Sequence, residues 1–155
     1  MAHYTIRHAT EADIAELVRL GFDMHSESNF RDMTYDPELA RDHAQKFVDS
    51  DNRCFLLAVD SQRTIGFISG QIGRAMFGPE PIASEDLFYV TPADRGAKNG
   101  VTVSLLRAFC EWAADMGAVR ISLANVAGAN DKAFRRLLGT YGFKPAGSVM
   151  YLEVS

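Results

Sequence analysis

The feature of this sequence that most constrains its fold is a central hairpin followed by a strand–helix–strand unit. Two apolar, strand-like runs are joined by the polar turn Asp60–Arg63, and a third run leads through a short loop into a long amphipathic helix and another strand. An antiparallel hairpin and a crossover connection in one chain predict a mixed α/β sheet with helices packed against it. The segments are strands at 54–59, 64–72, 86–90 and 119–124 and a helix at about 100–116.

The flanking segments complete this pattern. A short strand is predicted for 3–8, and Thr10 with Asp13 three residues later is typical of a helix start. Pro37 behind an aspartate predicts a second helix to about Val48. A last helix is predicted for 131–138, and strand-like residues follow from Phe143 onward and over 149–154. Three glycines in the hairpin predict a bent strand or the close approach of another segment: Gly66, Gly70 and Gly73.

The composition is that of a single globular domain over residues 1–155. Hydrophobic residues make up 47% and the net charge is −4 with mixed signs, so we expect neither disorder nor a nucleic-acid partner. No apolar run reaches membrane-spanning length and the N-terminus is unlike a signal peptide, which favours a cytoplasmic protein without membrane association. Cys54 and Cys110 lie in apolar surroundings without ligand spacing, which predicts buried free thiols and no metal site.

The most informative motif is the run YVTPADRGAKNGVT from Tyr89 to Thr102. A strand ends, a loop with two glycines and two basic residues follows, and a helix begins. The first N–H groups of a helix have no partner within it and lie at the positive end of its dipole, so they bind anions. The run has neither the GKS or GKT of a Walker loop nor a GxGxxG fingerprint. The run therefore predicts a phosphate-binding site that matches neither of these two motifs. An ordinary helix start is the alternative.

With this motif in place, the sequence resembles the GCN5-related N-acetyltransferase (GNAT) superfamily over nearly its full length. Four segments carry the resemblance in the order found in that family: IRHATEAD at 6–13, LLAVD and IGFISG at 56–60 and 65–70, LFYVTPADRG at 87–96, and NDKA with YGF at 130–133 and 141–143. The resemblance implies transfer of an acetyl group from acetyl-CoA to an amine of a small molecule or a protein. The implied fold is a mixed, mostly antiparallel sheet with diverging fourth and fifth strands, flanked by about four helices.

The same resemblance implies where acetyl-CoA binds. The pantetheine arm would lie between the diverging strands, paired with backbone groups of Phe88, Tyr89 and Val90 as an added strand would be. Asn130, at the start of the last helix, would also contact the cofactor. The pyrophosphate would lie on the loop and helix start, at Arg95, Gly96, Ala97, Lys98, Asn99, Gly100, Val101 and Thr102.

Two features depart from the common family pattern. The usual loop is R/Q-x-x-G-x-G/A, whereas the arginine here stands two residues upstream, which resembles the Arg-Gly-x-x-x-Gly variant of acetyltransferases of phage and mobile-element type. The tyrosine that reprotonates the CoA thiolate in many members would fall on Leu137 or Leu138, and neither can donate a proton. Tyr141 is the candidate acid, and a partly buried core aromatic is its alternative interpretation.

Acetyl transfer to an amine also needs a base, because only the neutral amine is a nucleophile. The resemblance implies Glu85 as the candidate, since it stands at the entrance of the fourth predicted strand, near where the family often keeps a water-linked base. Asp86 is next to it. Alternation along a strand places the two on opposite faces, so at most one of them faces the cofactor. A solvated charge at the strand edge is the alternative for Glu85.

Recognition of the acceptor is assigned to the polar loop after the first helix. His25, Glu27 and Tyr35 are predicted to line that site, with Glu27 attracting a cationic amine. The strand expected at the C-terminus would suit a homodimer. The alternative function is a CoA-binding module with little or no catalysis, structural or regulatory, and it is motivated by the missing tyrosine.

Overall fold

The computed structural model describes residues 3–61, 63–96, 100–125 and 131–154. Within these ranges the chain forms five strands and four α-helices. They are β1 (Tyr4–His8), α1 (Ile14–Glu27), α2 (Pro37–Val48), β2 (Arg53–Asp60), β3 (Arg63–Arg74), β4 (Pro81–Val90), α3 (Val101–Asp115), β5 (Arg120–Ser122) and α4 (Asp131–Thr140). None of the described helices combines the length and apolarity needed to cross a membrane.

The five strands form one sheet in the order β1-β2-β3-β4-β5. Pairing is antiparallel from β1 to β4, and β5 runs parallel to β4 after the crossover through α3. The predicted mixed, mostly antiparallel α/β sheet flanked by about four helices is confirmed.

The helices cover both faces of this sheet. α1 and α2 pack on one face, where Leu20 and Phe47 share a buried cluster with Phe67 of β3. α3 packs on the other face, where Phe109 shares a second buried cluster with Ile68. Neighbouring residues of β3 thus enter opposite clusters, because successive side chains of a strand point to opposite faces.

The predicted starts of the first two helices are confirmed. Asp13 accepts a hydrogen bond of 2.8 Å from the backbone N–H of Thr10 and binds the Arg7 guanidinium with two contacts of 2.8 Å. Those contacts lower the pKa of Asp13 to about 2, the hydrogen bond from Arg7 contributing most. Asp36 caps α2 by accepting from the backbone N–H groups of residues 38 and 39 at 2.9 and 3.2 Å.

β4 is longer than the sequence indicated. It begins at Pro81, five residues before the predicted start at Asp86. A proline is tolerated at the first position of a strand, where the N–H it lacks is not needed for the ladder. Pro81 therefore marks the start of the strand itself. The first half of β4 is the part that pairs with β5.

The strands predicted from Phe143 onward and over 149–154 are wrong for the described chain, where residues 141–154 form no strand. The apolar side chains of this segment lie on no neighbouring strand and remain open to solvent. Their exposed fractions are 78% for Val149, 91% for Met150, 75% for Tyr151, 86% for Leu152 and 89% for Val154. A strand needs a partner for its backbone groups, and propensity alone does not supply one.

A bulge interrupts the pairing of β3 with β4. Ser69 lies opposite Leu87 and the next residue, Gly70, lies opposite Glu85, so Asp86 is the extra residue of β4. Gly70 lies directly against the Phe109 ring, and a Cβ there would lie 2.6 Å from the Ser84 carbonyl oxygen.

The close approach predicted from the glycines is confirmed at two of three positions. A Cβ on Gly66 would lie 2.8 Å from the Tyr89 carbonyl oxygen, whereas one on Gly73 would meet nothing within 4 Å.

We expect Gly70→Ala to lower the free energy of unfolding by about 1–3 kcal/mol, because the added methyl group overpacks the space beneath Phe109. Gly73→Ala is the matched control in the same strand and should change stability by less than about 0.5 kcal/mol. Urea unfolding of both variants measures the difference, and equal stabilities would contradict the packing described for Gly70.

Candidate functional site

The site is built around the point where β4 and β5 separate. The two strands pair only over Ile82–Ser84 and Arg120–Ser122, and β4 then continues to Val90 after β5 has ended. One edge of β4 therefore carries backbone groups with no strand beside them over residues 86–90, among the described residues. Such an edge can pair with an extended ligand as it would with another strand. Phe88, Tyr89 and Val90 all lie along it.

In the chain, the N-terminus of α3 follows the end of β4. Gly96 and Gly100 have φ values of +105° and +67°, a left-handed conformation that a residue with a Cβ adopts only with strain. The first hydrogen bond of the helix runs from the N–H of Ser104 to the carbonyl of Gly100, so the amides of Val101 and Thr102 have no partner in the helix.

No acidic residue occupies the first turn of α3, which leaves its positive end free to bind an anion. Four predicted cofactor ligands lie outside the described residues: Ala97, Lys98, Asn99 and Asn130.

Arg95 is held on the side of the sheet that carries α1. Its Nη2 donates to Glu27 Oε2 at 2.7 Å and its Nε donates to the Val90 carbonyl at 2.7 Å. The guanidinium also lies 5.3 Å from the centre of the Tyr89 ring, whose hydroxyl donates to Glu27 Oε1 at 2.8 Å. Burial, together with the Glu27 carboxylate, raises the pKa of Tyr89 to about 12.

Two predicted ligands of different partners, Arg95 for the cofactor and Glu27 for the acceptor, thus form an ion pair with each other. A pocket of about 410 Å³ opens beside this pair. Its lining consists of Arg19, Asp23, Ser26, Glu27, Arg63, Tyr89, Thr91 and Pro92.

Glu85 lies where the two strands part. Its carboxylate is half-buried and accepts a hydrogen bond of 3.1 Å from the backbone N–H of Ala124, just beyond β5. Burial raises the pKa of Glu85 to about 7, with the nearby Asp86 charge adding to the effect and the Ala124 hydrogen bond opposing it. A carboxyl group with this pKa exchanges protons readily at neutral pH.

Asp86 points away from Glu85, toward α2. Its Oδ2 lies 2.7 Å from His43 Nε2 and 3.4 Å from the hydroxyl of the buried Ser69. The two adjacent carboxylates thus have different neighbours, as the alternation of side chains along a strand predicts. The sequence showed no sign of His43, because a lone histidine on a helix carries no pattern that pairs it with a residue 43 positions later.

His25 and Tyr35, both predicted for the acceptor site, lie together beside α1. The Tyr35 hydroxyl donates to the Val18 carbonyl at 2.6 Å, and its ring centre is 5.4 Å from those of Phe22 and His25. These contacts fix the loop that follows α1 onto that helix. The buried His25 Nε2 has no hydrogen-bond partner within the described ranges.

Tyr141, the candidate acid, follows α4 and has 45% of its surface exposed. Its interpretation as a partly buried core aromatic is therefore wrong. Leu138, at the alternative position for a catalytic tyrosine, is 8% exposed and belongs to the hydrophobic interior. Groups of three or more metal-binding side chains do not occur in the part of the chain that the structure describes.

Comparisons with known proteins show what this chain is similar to. A family model described as the acetyltransferase (GNAT) family matches residues 15–143. The structure of AAC(6')-Iy in complex with the bisubstrate analogue CoA-S-monomethyl-acetylneamine has a TM-score of 0.79 at 15% identity and covers 99% of both chains. A transcriptional regulator from Bacillus halodurans C-125 has a TM-score of 0.77 at 20% identity, over 98% of this chain and 100% of that one.

A third solved structure is that of the aminoglycoside acetyltransferase meta-AAC0020 from an uncultured soil metagenomic sample, in complex with sisomicin. It has a TM-score of 0.72 at 17% identity and covers 99% of this chain and 97% of that chain. At such identities these likenesses show a shared fold. No curated protein matches the sequence.

The raised pKa of Glu85 predicts how stability depends on pH. Its ordinary value is 4.5 and its value in the folded protein is about 7, so the folded state holds a proton that the unfolded state has lost between these values. The wild type should therefore lose up to about 3 kcal/mol of unfolding free energy relative to Glu85→Gln as the pH rises from 4 to 8.

Glutamine keeps an oxygen for the Ala124 amide, and Glu111→Gln on α3 corrects for the loss of one negative charge. Urea unfolding at a series of pH values gives the comparison. Parallel curves for the wild type and Glu85→Gln would contradict the raised pKa.

Proposed function

The chain belongs to the acetyltransferase (GNAT) family, and from that premise we propose that it acetylates a small-molecule amine with Glu85 as general base. It is an N-acetyltransferase that uses acetyl-CoA, since this reaction and this cofactor characterise the family. The observation that carries the proposal is the half-buried Glu85 carboxyl, with a pKa of about 7, at the point where β4 and β5 part.

The free edge of β4 and the start of α3 fit acetyl-CoA. An extended arm with two amide groups can pair with the backbone of Phe88, Tyr89 and Val90, and the amides at Val101 and Thr102 suit a pyrophosphate. When bound there, acetyl-CoA supplies the acetyl group as a thioester, whose thiolate is a tolerable leaving group with a pKa of about 8.5.

The loop before α3 serves as the Arg-Gly-x-x-x-Gly variant in this proposal. Its backbone amides bind the pyrophosphate, because the Arg95 side chain is already engaged by Glu27 and by the Val90 carbonyl. Arg95 contributes charge to the phosphates only if Glu27 releases it. The first turn of α3 carries no acidic residue that would repel the phosphates.

Glu85 has the properties of a general base for this reaction. Efficient proton transfer needs a pKa close to the working pH, and burial provides that for this carboxyl group. The exposed Tyr141 remains our candidate acid, although a thiolate leaving group can depart without one.

Several observations favour a cationic small molecule as the acceptor. The chain has a net charge of −4, and Asp86 lies on the face of the sheet that carries α1 and α2. Glu27 is neutralised by Arg95, so it attracts a cation less than its sequence position indicated. Three of the structurally similar enzymes are described as aminoglycoside acetyltransferases, which act on small-molecule amines. A protein amino group is the alternative acceptor.

Binding of acetyl-CoA should stabilise the protein against heat, by about 2.7 kcal/mol at 100 times the dissociation constant. Gly100→Ala should weaken that binding at least tenfold, because the left-handed backbone aligns the first amides of α3. Gly117→Ala is the matched control: its φ is +79° at the opposite end of the same helix, so it carries similar strain away from the phosphates. Thermal-shift titrations of all three proteins measure the constants.

Turnover is then measured as thiol release from acetyl-CoA with spermine, sisomicin and a lysine-containing peptide as acceptors. Glu85→Gln should bind acetyl-CoA as the wild type does and lose about 100-fold or more in kcat, the usual contribution of a general base. Undiminished turnover in that variant would remove Glu85 from the mechanism. Binding of acetyl-CoA without turnover of any amine would favour the CoA-binding module instead.

A homodimer would cover the exposed C-terminal segment. The run Val149–Val154 is rich in strand-forming residues, and the outer edge of β5 has no strand neighbour within the described chain. Pairing of this run with β5 of a second copy would give hydrogen-bond partners to the backbone of the run and to the outer edge of β5.

Sedimentation equilibrium should then give twice the chain mass of 17.1 kDa. Deletion of residues 148–155 should give a folded monomer. A full-length chain that sediments as a monomer would refute the dimer and leave the acetyltransferase assignment intact.

A further inference from the structure

The pair formed by His43 and Asp86 has no role in the mechanism described so far. Asp86 is the extra residue at the bulge of β4, two positions beyond the last residue paired with β5. We propose that His43, oriented by Asp86, removes the first proton from the incoming ammonium group of the acceptor. This inference rests on the proposed function, since it concerns the same reaction.

The hydrogen bond between the two residues determines which nitrogen of His43 is free. An ionised carboxylate only accepts, so Nε2 donates to Asp86 Oδ2 over the 2.7 Å contact. The lone pair of the neutral imidazole then lies on Nδ1, and no hydrogen bond to Nδ1 occurs in the described part of the chain. The ring is held in place by Phe47, with ring centres 4.7 Å apart. The arrangement is that of an imidazole base oriented by a carboxylate.

The location of the pair suits the acceptor. The Asp86 side chain lies on the face of the sheet that carries α2, whereas α3, whose N-terminus suits the phosphates, packs on the opposite face. The side chains of His43 and Asp86 are 42% and 32% exposed, so a proton taken up here can pass to water. Glu85 is turned toward Ala124 instead.

The reaction requires two proton removals. An alkylamine has a pKa near the value of about 10.4 for lysine and arrives as an ammonium ion. It loses one proton before its nitrogen can form the bond to the acetyl carbon, and a second as the amide forms and the carbon–sulfur bond breaks. One proton ends on the CoA thiol and the other in solvent. We assign the first removal to His43 and the second to Glu85.

The contact between His43 and Asp86 is not needed to attach α2 to the sheet. α2 is already attached to the sheet through Ala44 and Phe47, which belong to the buried cluster with Phe55 and Phe67. A partly exposed ion pair adds little to that attachment, typically below 1 kcal/mol.

Charged groups near His43 come from several of the elements around it. β4 contributes Asp86 and Glu85, and β2 contributes Arg53, whose guanidinium lies 5.3 Å from the centre of the Phe47 ring. Lys46 follows on α2 itself, and α1 adds apolar residues to the shared cluster. Asp86 is the member of this set that is hydrogen-bonded to the imidazole.

The test uses the full chain and two acceptor probes of opposite charge state. Propylamine is an ammonium ion at neutral pH, and p-anisidine is an arylamine that is already uncharged. His43→Gln keeps an amide donor for Asp86 but cannot accept a proton, and His8→Gln on β1 is the control for loss of a histidine elsewhere. Asp86→Asn tests the positioning residue. Thiol release gives kcat/KM from pH 5 to 9, and acetyl-CoA affinity is measured in parallel.

We expect His43→Gln to lower kcat/KM for propylamine about 100-fold near neutral pH, because only the small fraction of free amine then reacts, and its rate should rise with pH as that fraction does. The effect on p-anisidine should be less than threefold. Asp86→Asn should lower the propylamine rate as well, because the imidazole loses its orienting acceptor. Equal losses for both amines, or an unchanged propylamine profile in His43→Gln, would overturn the assignment while leaving the acetyltransferase intact. Failure of the wild type and His8→Gln to acetylate any amine would overturn the proposed function and this inference with it.

Discussion

The contact between Gly70 and the Phe109 ring is the constraint on which the site depends. The absence of a Cβ at residue 70 lets the ring of α3 lie directly on the sheet at the point where β4 bulges. The bulge adds Asp86 to β4. Alternation along the strand directs Glu85 toward the Ala124 amide just beyond β5 and Asp86 toward the His43 imidazole on α2. The bulge that carries Asp86 thus lies opposite Gly70, which itself pairs with Glu85.

The opposite end of the site depends on backbone rather than on side chains. Two glycines with positive φ bring the chain into α3, whose first amides lack partners and whose first turn lacks acids. Arg95, the basic residue expected to help there, is instead paired with Glu27 and lies over Tyr89. Anion binding that relies on amides tolerates the loss of one basic side chain, because the helix start supplies several donors at once.

Local patterns predicted most of the fold. Residues close in sequence, or the periodicity of side chains, predicted the hairpin, the crossover and the cap at Asp36. They also predicted the close approach of other segments to Gly66 and Gly70. The start of β4 was placed too late, because a proline at the first position of a strand resembles the end of a loop. The C-terminal strands failed for a different reason: Val149–Val154 has strand propensity, but in the described chain no backbone lies beside it.

The sequence by itself determined the central hairpin, the crossover, the starts of the first two helices and the position of the glycine loop, because each depends on local propensity and on the alternation of apolar residues. The resemblance to the family also indicated Glu85 as a candidate base. Only the tertiary structure decided that burial raises its pKa, that Asp86 meets His43, and that Arg95 meets Glu27. These pairs join residues 43 and 68 positions apart, and such contacts are created by packing between elements, which leaves no local signal in the chain.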